Sequence, residues 1–138
     1  MSWRDKVKEF GGGDLSFLSE DGEVINFIVV GEPVLLFGKF KGKPTEKIGC
    51  PIITEDGFVL FIAGKRLFRK IAKHEDDFGT CVLQAIRHGE QGDINATYDL
   101  KVLDNSELAS LLFGLKETDF SPDMIDEAIT SAEQVMTQ

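Results

Sequence analysis

The chain is poor in cysteine, with two among its 138 residues, Cys50 and Cys81. Two thiols at this spacing indicate neither a disulfide framework nor a cysteine-rich metal site, and we expect both to be small buried apolar groups. Long apolar runs are also missing, because residues 27–31 and 33–38 fall far below the ~20 residues that a membrane-spanning helix needs. The first ten residues contain no apolar signal region, so we expect a cytoplasmic protein without a membrane partner.

Positive charge is scarce but concentrated. The chain has 15 Lys and Arg against 24 Asp and Glu, a net charge of −9. Residues 39–73, here called the basic segment, hold nine cations and three acids, so their balance is 9 − 3 = +6 and the remainder sums to −15. Phe37, Phe40, Phe58 and Phe61 lie in or beside this segment. Cations interleaved with aromatic rings suit a groove for single-stranded nucleic acid, and a solvated charged face is the alternative.

The sequence contains no recognisable catalytic arrangement. The glycine run 11–13 lacks both a preceding strand and the Gly-Lys-Ser/Thr ending of a phosphate-binding loop. His74 and His88 have no cysteine or carboxylate at metal-ligand spacing. No serine lies in a nucleophile elbow. We therefore expect a binding protein that is not an enzyme and carries no cofactor or metal.

Residues 14–103 are predicted to form one mainly β domain. A first strand over residues 24–41, interrupted at Gly31-Glu32-Pro33, is followed by a loop at 42–44 and by strands at 47–54, 58–63, 80–87 and 96–103. Residues 65–73 have helical spacing, with Leu67 and Ile71 on one face and cations on the rest. The resulting order, β-β-β-α-β-β, is that of a five-stranded oligonucleotide/oligosaccharide-binding (OB) barrel.

Two flanking segments complete the chain. Residues 1–13 are predicted to be a short N-terminal lead that ends in three glycines. Residues 104–138 hold eight acids and one base and are predicted to be a helical C-terminal extension, with helices beginning near Ser106 and at Ser121-Pro122. This acidic extension is expected to pack on the barrel as a solubilising helix, or to occupy the cationic groove and recruit partners.

The predicted nucleic-acid site combines cations and aromatic rings. Three lysines at 39, 41 and 43 alternate, so on one strand they would share a face, where a phosphate between them would relieve their repulsion; protection of an edge strand is the alternative. Core packing is the alternative for each phenylalanine. The residues expected to contact phosphates are Lys39, Lys41, Lys43, Lys47, Lys65, Arg66, Arg69 and Arg87, and those expected to stack on bases are Phe37, Phe40 and Tyr98.

Several short motifs resemble the single-stranded DNA-binding proteins of tailed bacteriophages over roughly residues 14–103. They are FLSEDGE at 17–23, VGEP at 30–33, KRLFRKI at 65–71, IRHG at 86–89 and TYDL at 97–100. The resemblance implies an OB fold, binding of single-stranded DNA without sequence preference, an acidic C-terminal region that contacts replication partners, and location in the host cytoplasm. The chain departs from the family at residues 133–138, which are not a dense acidic tip.

Two functions of different classes follow. The first is sequence-independent binding of single-stranded DNA in phage replication, recombination or repair, with replication or recombination proteins bound through residues 104–138. The second is a protein-assembly module, a phage structural or adaptor protein, whose basic segment docks an acidic partner and whose C-terminal helices form a homo-oligomer. DNA binding requires aromatic rings exposed beside the lysines, whereas assembly requires an exposed apolar patch on residues 104–138.

Overall fold

The computed structural model of the protein describes residues 15–16, 18–40 and 42–136. The helices are α1 (Lys65–Ala72), α2 (Ser106–Thr118) and α3 (Asp123–Met136). The strands are β1 (Leu15–Ser16), β2 (Val24–Val29), β3 (Val34–Phe40), β4 (Lys43–Thr54), β5 (Gly57–Ala63), β6 (Val82–His88) and β7 (Thr97–Leu103). The predicted N-terminal lead, residues 1–13, lies outside the described residues.

Strands β2 to β7 form an open antiparallel sheet, which confirms the mainly β prediction. The strand order is β5-β4-β2-β6-β7, and β3 also pairs with β4. Both β2 and β3 fit along β4 because β4 has 12 residues: its first half pairs with β3, and Ile52 and Ile53 pair with β2. Within the residues described, no pairing joins β5 to β7, so closure into a barrel is not observed.

The edges of β5 and β7 that a closed barrel would join have other partners. The edge of β5 that faces away from β4 pairs in parallel with β1, with Leu15 opposite Leu60 and Ser16 opposite Phe61. On β7, the ammonium group of Lys70 from α1 donates a hydrogen bond to the carbonyl oxygen of Tyr98. These contacts satisfy part of the backbone that barrel closure would otherwise pair.

The loop predicted at residues 42–44 is wrong, because β4 already begins at Lys43. Strand β3 ends at Phe40, Gly42 turns with φ +80°, and the pairing of β3 with β4 runs without a break from Val34↔Gly49 to Phe40↔Lys43.

Pro44 pairs with Lys39 in this ladder. The N–H of Phe37 donates to Glu133, so Phe37 and its partner on β4 form a pair without ladder hydrogen bonds. Such pairs alternate with hydrogen-bonded pairs along an antiparallel ladder, so the Lys39–Pro44 pair, two positions further, also has none. Proline therefore fits at this position without removing a ladder hydrogen bond.

The centre of the sheet is buried on both faces, which explains why its sequence has consecutive apolar residues. Neighbouring pairs such as Phe27–Ile28, Ile52–Ile53 and Leu60–Phe61 are at most 1% exposed. One face packs on α1 through Leu67 and Ile71. The opposite face packs on α2 and α3, whose buried residues are Leu108, Leu112, Ala128 and Ala132. The C-terminal helices are therefore part of the core.

Helices α1 and α2 begin where the sequence predicts, and α3 begins one residue after the predicted Ser121-Pro122. The side chain of Asn105 accepts a hydrogen bond from the N–H of Leu108 at 3.0 Å and caps α2, which starts at Ser106. Helix α3 starts at Asp123, directly after Pro122, and has Asp123 and Asp126 in its first turn. Acids at these helix starts complement the helix dipole. None of the helices in the described part of the chain has the length and apolar content needed to cross a membrane.

Candidate nucleic-acid interface

The β3–β4 hairpin presents one face to solvent. Leu35 is 54% exposed and Phe37 is 53% exposed. Lys39 lies on the same face, since side chains alternate along a strand. Across the ladder this face continues through Ile48, Glu46 and Pro44. The hairpin thus displays an exposed aromatic ring two residues from a lysine.

Helix α3 holds the hairpin from the opposite face. Leu36 and Leu60 are fully buried against Ala128 and Ala132, whose small side chains allow close approach of the helix. Glu133 accepts a hydrogen bond from the backbone N–H of Phe37 at 2.8 Å. Helix α3 therefore covers the outer edge of β3 and prevents that edge from pairing with another chain at this point. Sequence reasoning assigned no residue of the acidic extension to this role.

The predicted lysine face is wrong. Lys39 belongs to β3 and pairs with Pro44, so Lys43 and Lys47, which alternate with Pro44 and Glu46 on β4, point to the other face of the hairpin. Both are exposed. Lys41, and with it the side chain of Phe40, lies outside the described residues. Lys39 alone of the described lysines here shares the face of Phe37.

Helix α1 carries the second group of predicted cations. Lys65, Arg66 and Arg69 are exposed, as are Lys70 and Lys73, whereas Leu67 and Ile71 are buried on the other side. At about 100° per residue the five cations fall within an arc of about 140°. They include three like-charged i,i+4 pairs, Lys65–Arg69, Arg66–Lys70 and Arg69–Lys73, each unfavourable by roughly 0.2–0.5 kcal/mol.

The electrostatics of α1 are unfavourable in other ways. Its first turn contains no acid and begins with two cations, which oppose the helix dipole. Ion pairs in the described part of the chain join His74 to Asp77 at 3.7 Å and His88 to Asp99 at 2.7 Å, and neither involves a lysine or arginine. Among the described residues, the exposed cations of α1 therefore form no ion pair, although the chain has 24 Asp and Glu.

Arg87 occupies the interior and is not available to a phosphate. It is 8% exposed, and its guanidinium donates to the carbonyl oxygens of Gly89 and Glu90 and to the hydroxyl of Tyr98, all at 2.8–2.9 Å. The guanidinium also lies 5.7 Å from the centre of the Tyr98 ring, which is partly buried against the core. Both residues were predicted to contact DNA. The structure instead gives them the role of holding the loop between β6 and β7.

That loop adds a residue that the sequence prediction did not include. Its base is fixed by Arg87 and by the carboxylate of Asp21, which accepts from the N–H of Gly89 at 2.9 Å. Near its tip Ile94 is 91% exposed, the most exposed large apolar side chain described. No periodicity marks Ile94, because it lies in a turn between two strands. The loop therefore presents an exposed apolar side chain near the tip of a segment whose base is held in place.

The expectation that both cysteines are buried holds for Cys50 and not for Cys81. Cys50 is buried, and this burial raises the pKa of its thiol to about 11. Cys81 is partly exposed. Among the residues described, no three His, Cys, Asp or Glu side chains come together in an arrangement suited to a metal ion.

The predicted site residues thus fall into three groups. Phe37 and Lys39 share the exposed face of the hairpin, with Lys43 and Lys47 on its reverse. Lys65, Arg66 and Arg69 lie together on α1. Arg87 and Tyr98 bind each other.

Comparison of the chain with protein families, with curated proteins and with solved structures gives no match.

Proposed function

We propose that the protein binds single-stranded DNA without sequence preference, in the replication, recombination or repair of phage DNA in the host cytoplasm. One observation carries the proposal. The exposed aromatic ring of Phe37 lies beside Lys39, where the basic segment begins, and none of the described lysines and arginines of that segment forms an ion pair with an acid. Replication or recombination proteins would bind on the acidic surface of α2 and α3.

The exposed ring suits the bases of single-stranded DNA, and the unpaired cations suit its phosphates. Each base has a flat face, and its stacking on an aromatic ring contributes roughly 1–3 kcal/mol regardless of the base. The cations of α1 repel one another, so a polyanion would relieve strain that the free protein retains. With a net charge of −9, the protein would attract DNA only through a local patch of this kind.

The strand pairing supports an OB fold as part of this proposal. If β2 and β3 count as one interrupted strand, the chain has five main strands with α1 between the third and the fourth. OB barrels are partly open and bind oligonucleotides on the face of their second and third strands and at the loops after the first and fourth. In this chain those loops are the turn of the β3–β4 hairpin and the loop that carries Ile94.

The alternative function, a protein-assembly module, requires an exposed apolar patch on residues 104–138. In the described part of that segment, Leu111, at 48%, is the one large apolar side chain that is clearly exposed. The apolar side chains that pack towards the sheet include Leu108, Leu112 and Phe113 of α2 and Ala128, Ile129 and Ala132 of α3. The exposed apolar residues beside cations lie instead on the hairpin, at Leu35 and Phe37. This distribution favours DNA binding.

A fluorescence-anisotropy titration tests the proposal directly. The full chain is titrated into a labelled oligo-dT and into a matched duplex, at low and at moderate salt. We expect binding to the single strand that weakens as salt rises, and much weaker binding to the duplex. Absence of binding to either DNA at low salt would overturn the proposal. The full chain is required because α2 and α3 cover one face of the sheet.

A further inference from the structure

A cleft of about 500 Å³ lies between α1 and strands β6 and β7. Its helical side is lined by Lys70, Lys73 and His74, and its sheet side by Gln84, Asp99 and Lys101, among others. None of these six residues belongs to the predicted DNA site. The volume is within the range of small-molecule sites in proteins.

The charge of the cleft is positive. Lys70, Lys73 and Lys101 face one carboxylate, that of Asp99, so the formal balance is 3 − 1 = +2 with His74 neutral. Asp99 already contacts His88 at 2.7 Å. In the described residues none of the three lysines forms an ion pair. Lys70 donates one hydrogen bond to the carbonyl oxygen of Tyr98, which leaves two of its three donors for a ligand.

Both walls of the cleft are held in place by contacts that need no ligand. On the sheet, Asn26, Gln84 and Lys101 lie side by side across β2, β6 and β7, and the side-chain amide of Gln84 donates to Asn26 at 2.9 Å. On the other side, α1 is anchored by Leu67 and Ile71, which are at most 3% exposed. The backbone of both walls is therefore held by packing and strand pairing, so little backbone order has to be gained on binding.

We propose that this cleft, between α1 and β7, binds a phosphate ester. A phosphate group offers several oxygen acceptors to the three ammonium groups that line the cleft, more than a single carboxylate offers. Ile86 and Leu100 also line the cleft and provide apolar contact for a sugar or a base. The phosphate can come from the backbone of a single strand, in which case the inference rests on the proposed function, or from a free nucleotide.

Two probes distinguish these sources. Thymidine 3′,5′-bisphosphate is titrated into the ¹⁵N-labelled full chain, and the amide signals of Lys73, Leu100 and Lys101 are expected to shift together. In parallel, oligo-dT binding is measured as a function of salt for the double variant Lys73→Gln, Lys101→Gln. Loss of two phosphate contacts with a single strand should reduce the slope of log K against log salt by about 1.4. Lys70 is retained because it ties α1 to β7.

Lys116→Gln is the matched control, since Lys116 lies on α2 and does not line the cleft. Shifts with the bisphosphate and a lower slope with oligo-dT place the cleft on the path of the strand. Shifts alone assign it to a free nucleotide, and a lower slope alone assigns it to the polymer. The inference is overturned if the bisphosphate shifts none of these signals and the double variant, with an unchanged unfolding midpoint, binds oligo-dT like the control. If the wild type does not bind oligo-dT, the bisphosphate titration decides by itself.

Discussion

Arg87 and Tyr98 lie opposite each other in the β6–β7 ladder and bind each other, with 2.8 Å between Nη1 of the arginine and the tyrosine hydroxyl. Both side chains lie on the face of the sheet that packs on α1. The guanidinium is satisfied by this hydroxyl and by the carbonyl oxygens of Gly89 and Glu90. The pair therefore stabilises the fold and orients the loop after β6.

Tyr98→Phe is expected to lower the free energy of unfolding by roughly 1.5–3 kcal/mol, because it removes an acceptor from a buried charged donor. Urea unfolding measures the loss. The folded variant should bind oligo-dT as the wild type does. Thr97→Val, at an exposed position of the same strand, is the control and should change little. Lost DNA binding with unchanged stability would return Tyr98 to the interface.

Phe37→Ala is expected to weaken binding of single-stranded DNA by roughly 1–3 kcal/mol, the contribution of one stacked base. Leu35→Ala is a closely matched control, because Leu35 lies on the same strand face with nearly the same exposure, 54% against 53%, but has no aromatic ring. Anisotropy titration with oligo-dT compares the two variants. Equal effects would show that the face contributes apolar contact and not stacking.

Lys39→Gln and Lys43→Gln test which face of the hairpin binds DNA. Each variant removes one charge, yet Lys39 shares the face of Phe37 and Lys43 lies on the other face. We expect the slope of log K against log salt to fall by about 0.7 for Lys39→Gln and to change less for Lys43→Gln. The reverse order, measured by titration at several salt concentrations, would place the DNA on the side of α3.

Leu112→Ala is expected to lower the free energy of unfolding by roughly 2–5 kcal/mol, because Leu112 is fully buried between α2 and the sheet. Its neighbour Leu111 is 48% exposed, so Leu111→Ala should stay within about 0.5 kcal/mol of the wild type. Urea unfolding of both variants gives the comparison. Similar small losses would mean that residues 104–138 do not pack on the sheet.

Cys50 should make the stability depend on pH in the alkaline range. Burial raises the pKa of its thiol from 9.0 to about 11 in the folded protein. The Cys50 thiol does not lower the free energy of unfolding below pH 9. That free energy falls as the pH rises from 9 towards 11, because the thiol ionises first in the unfolded chain. Urea unfolding at several pH values should therefore show a steeper decline for the wild type than for Cys50→Ala. Parallel declines would contradict the assigned burial.

The sequence predicts the elements of the fold better than it predicts their partners. Helix α1 follows from the spacing of Leu67 and Ile71, and α2 from a run of leucines after the cap at Asn105. The start of β4 was missed because Pro44 reads as a loop residue, and only the ladder shows that its nitrogen faces away from β3. The edges of β5 and β7 meet β1 and Lys70, contacts between distant segments that no local pattern indicates.

The candidate site was predicted in part for the same reason. Phe37 is a candidate because it lies beside lysines, and Lys39 because it belongs to an alternating series of lysines; the structure places both on an exposed face. Arg87 was assigned to the surface because of its charge, although it continues the buried alternation of Leu83 and Ala85 along β6. Weighting that alternation above the charge would have placed Arg87 inside. Its partners, two loop carbonyl groups and a tyrosine hydroxyl, come from the tertiary fold.

The hydrogen bond from Phe37 to Glu133 makes one amide a reporter for helix α3. Most backbone N–H groups of a sheet exchange with deuterium when the sheet opens, but this one is bonded to a side chain of α3. Its exchange rate therefore follows the separation of α3 from β3, whereas neighbours bonded to β4 follow the opening of the ladder. In the presence of DNA, slower exchange at Phe37 alone would reveal that ligand binding on one face of the hairpin tightens the helix on the other.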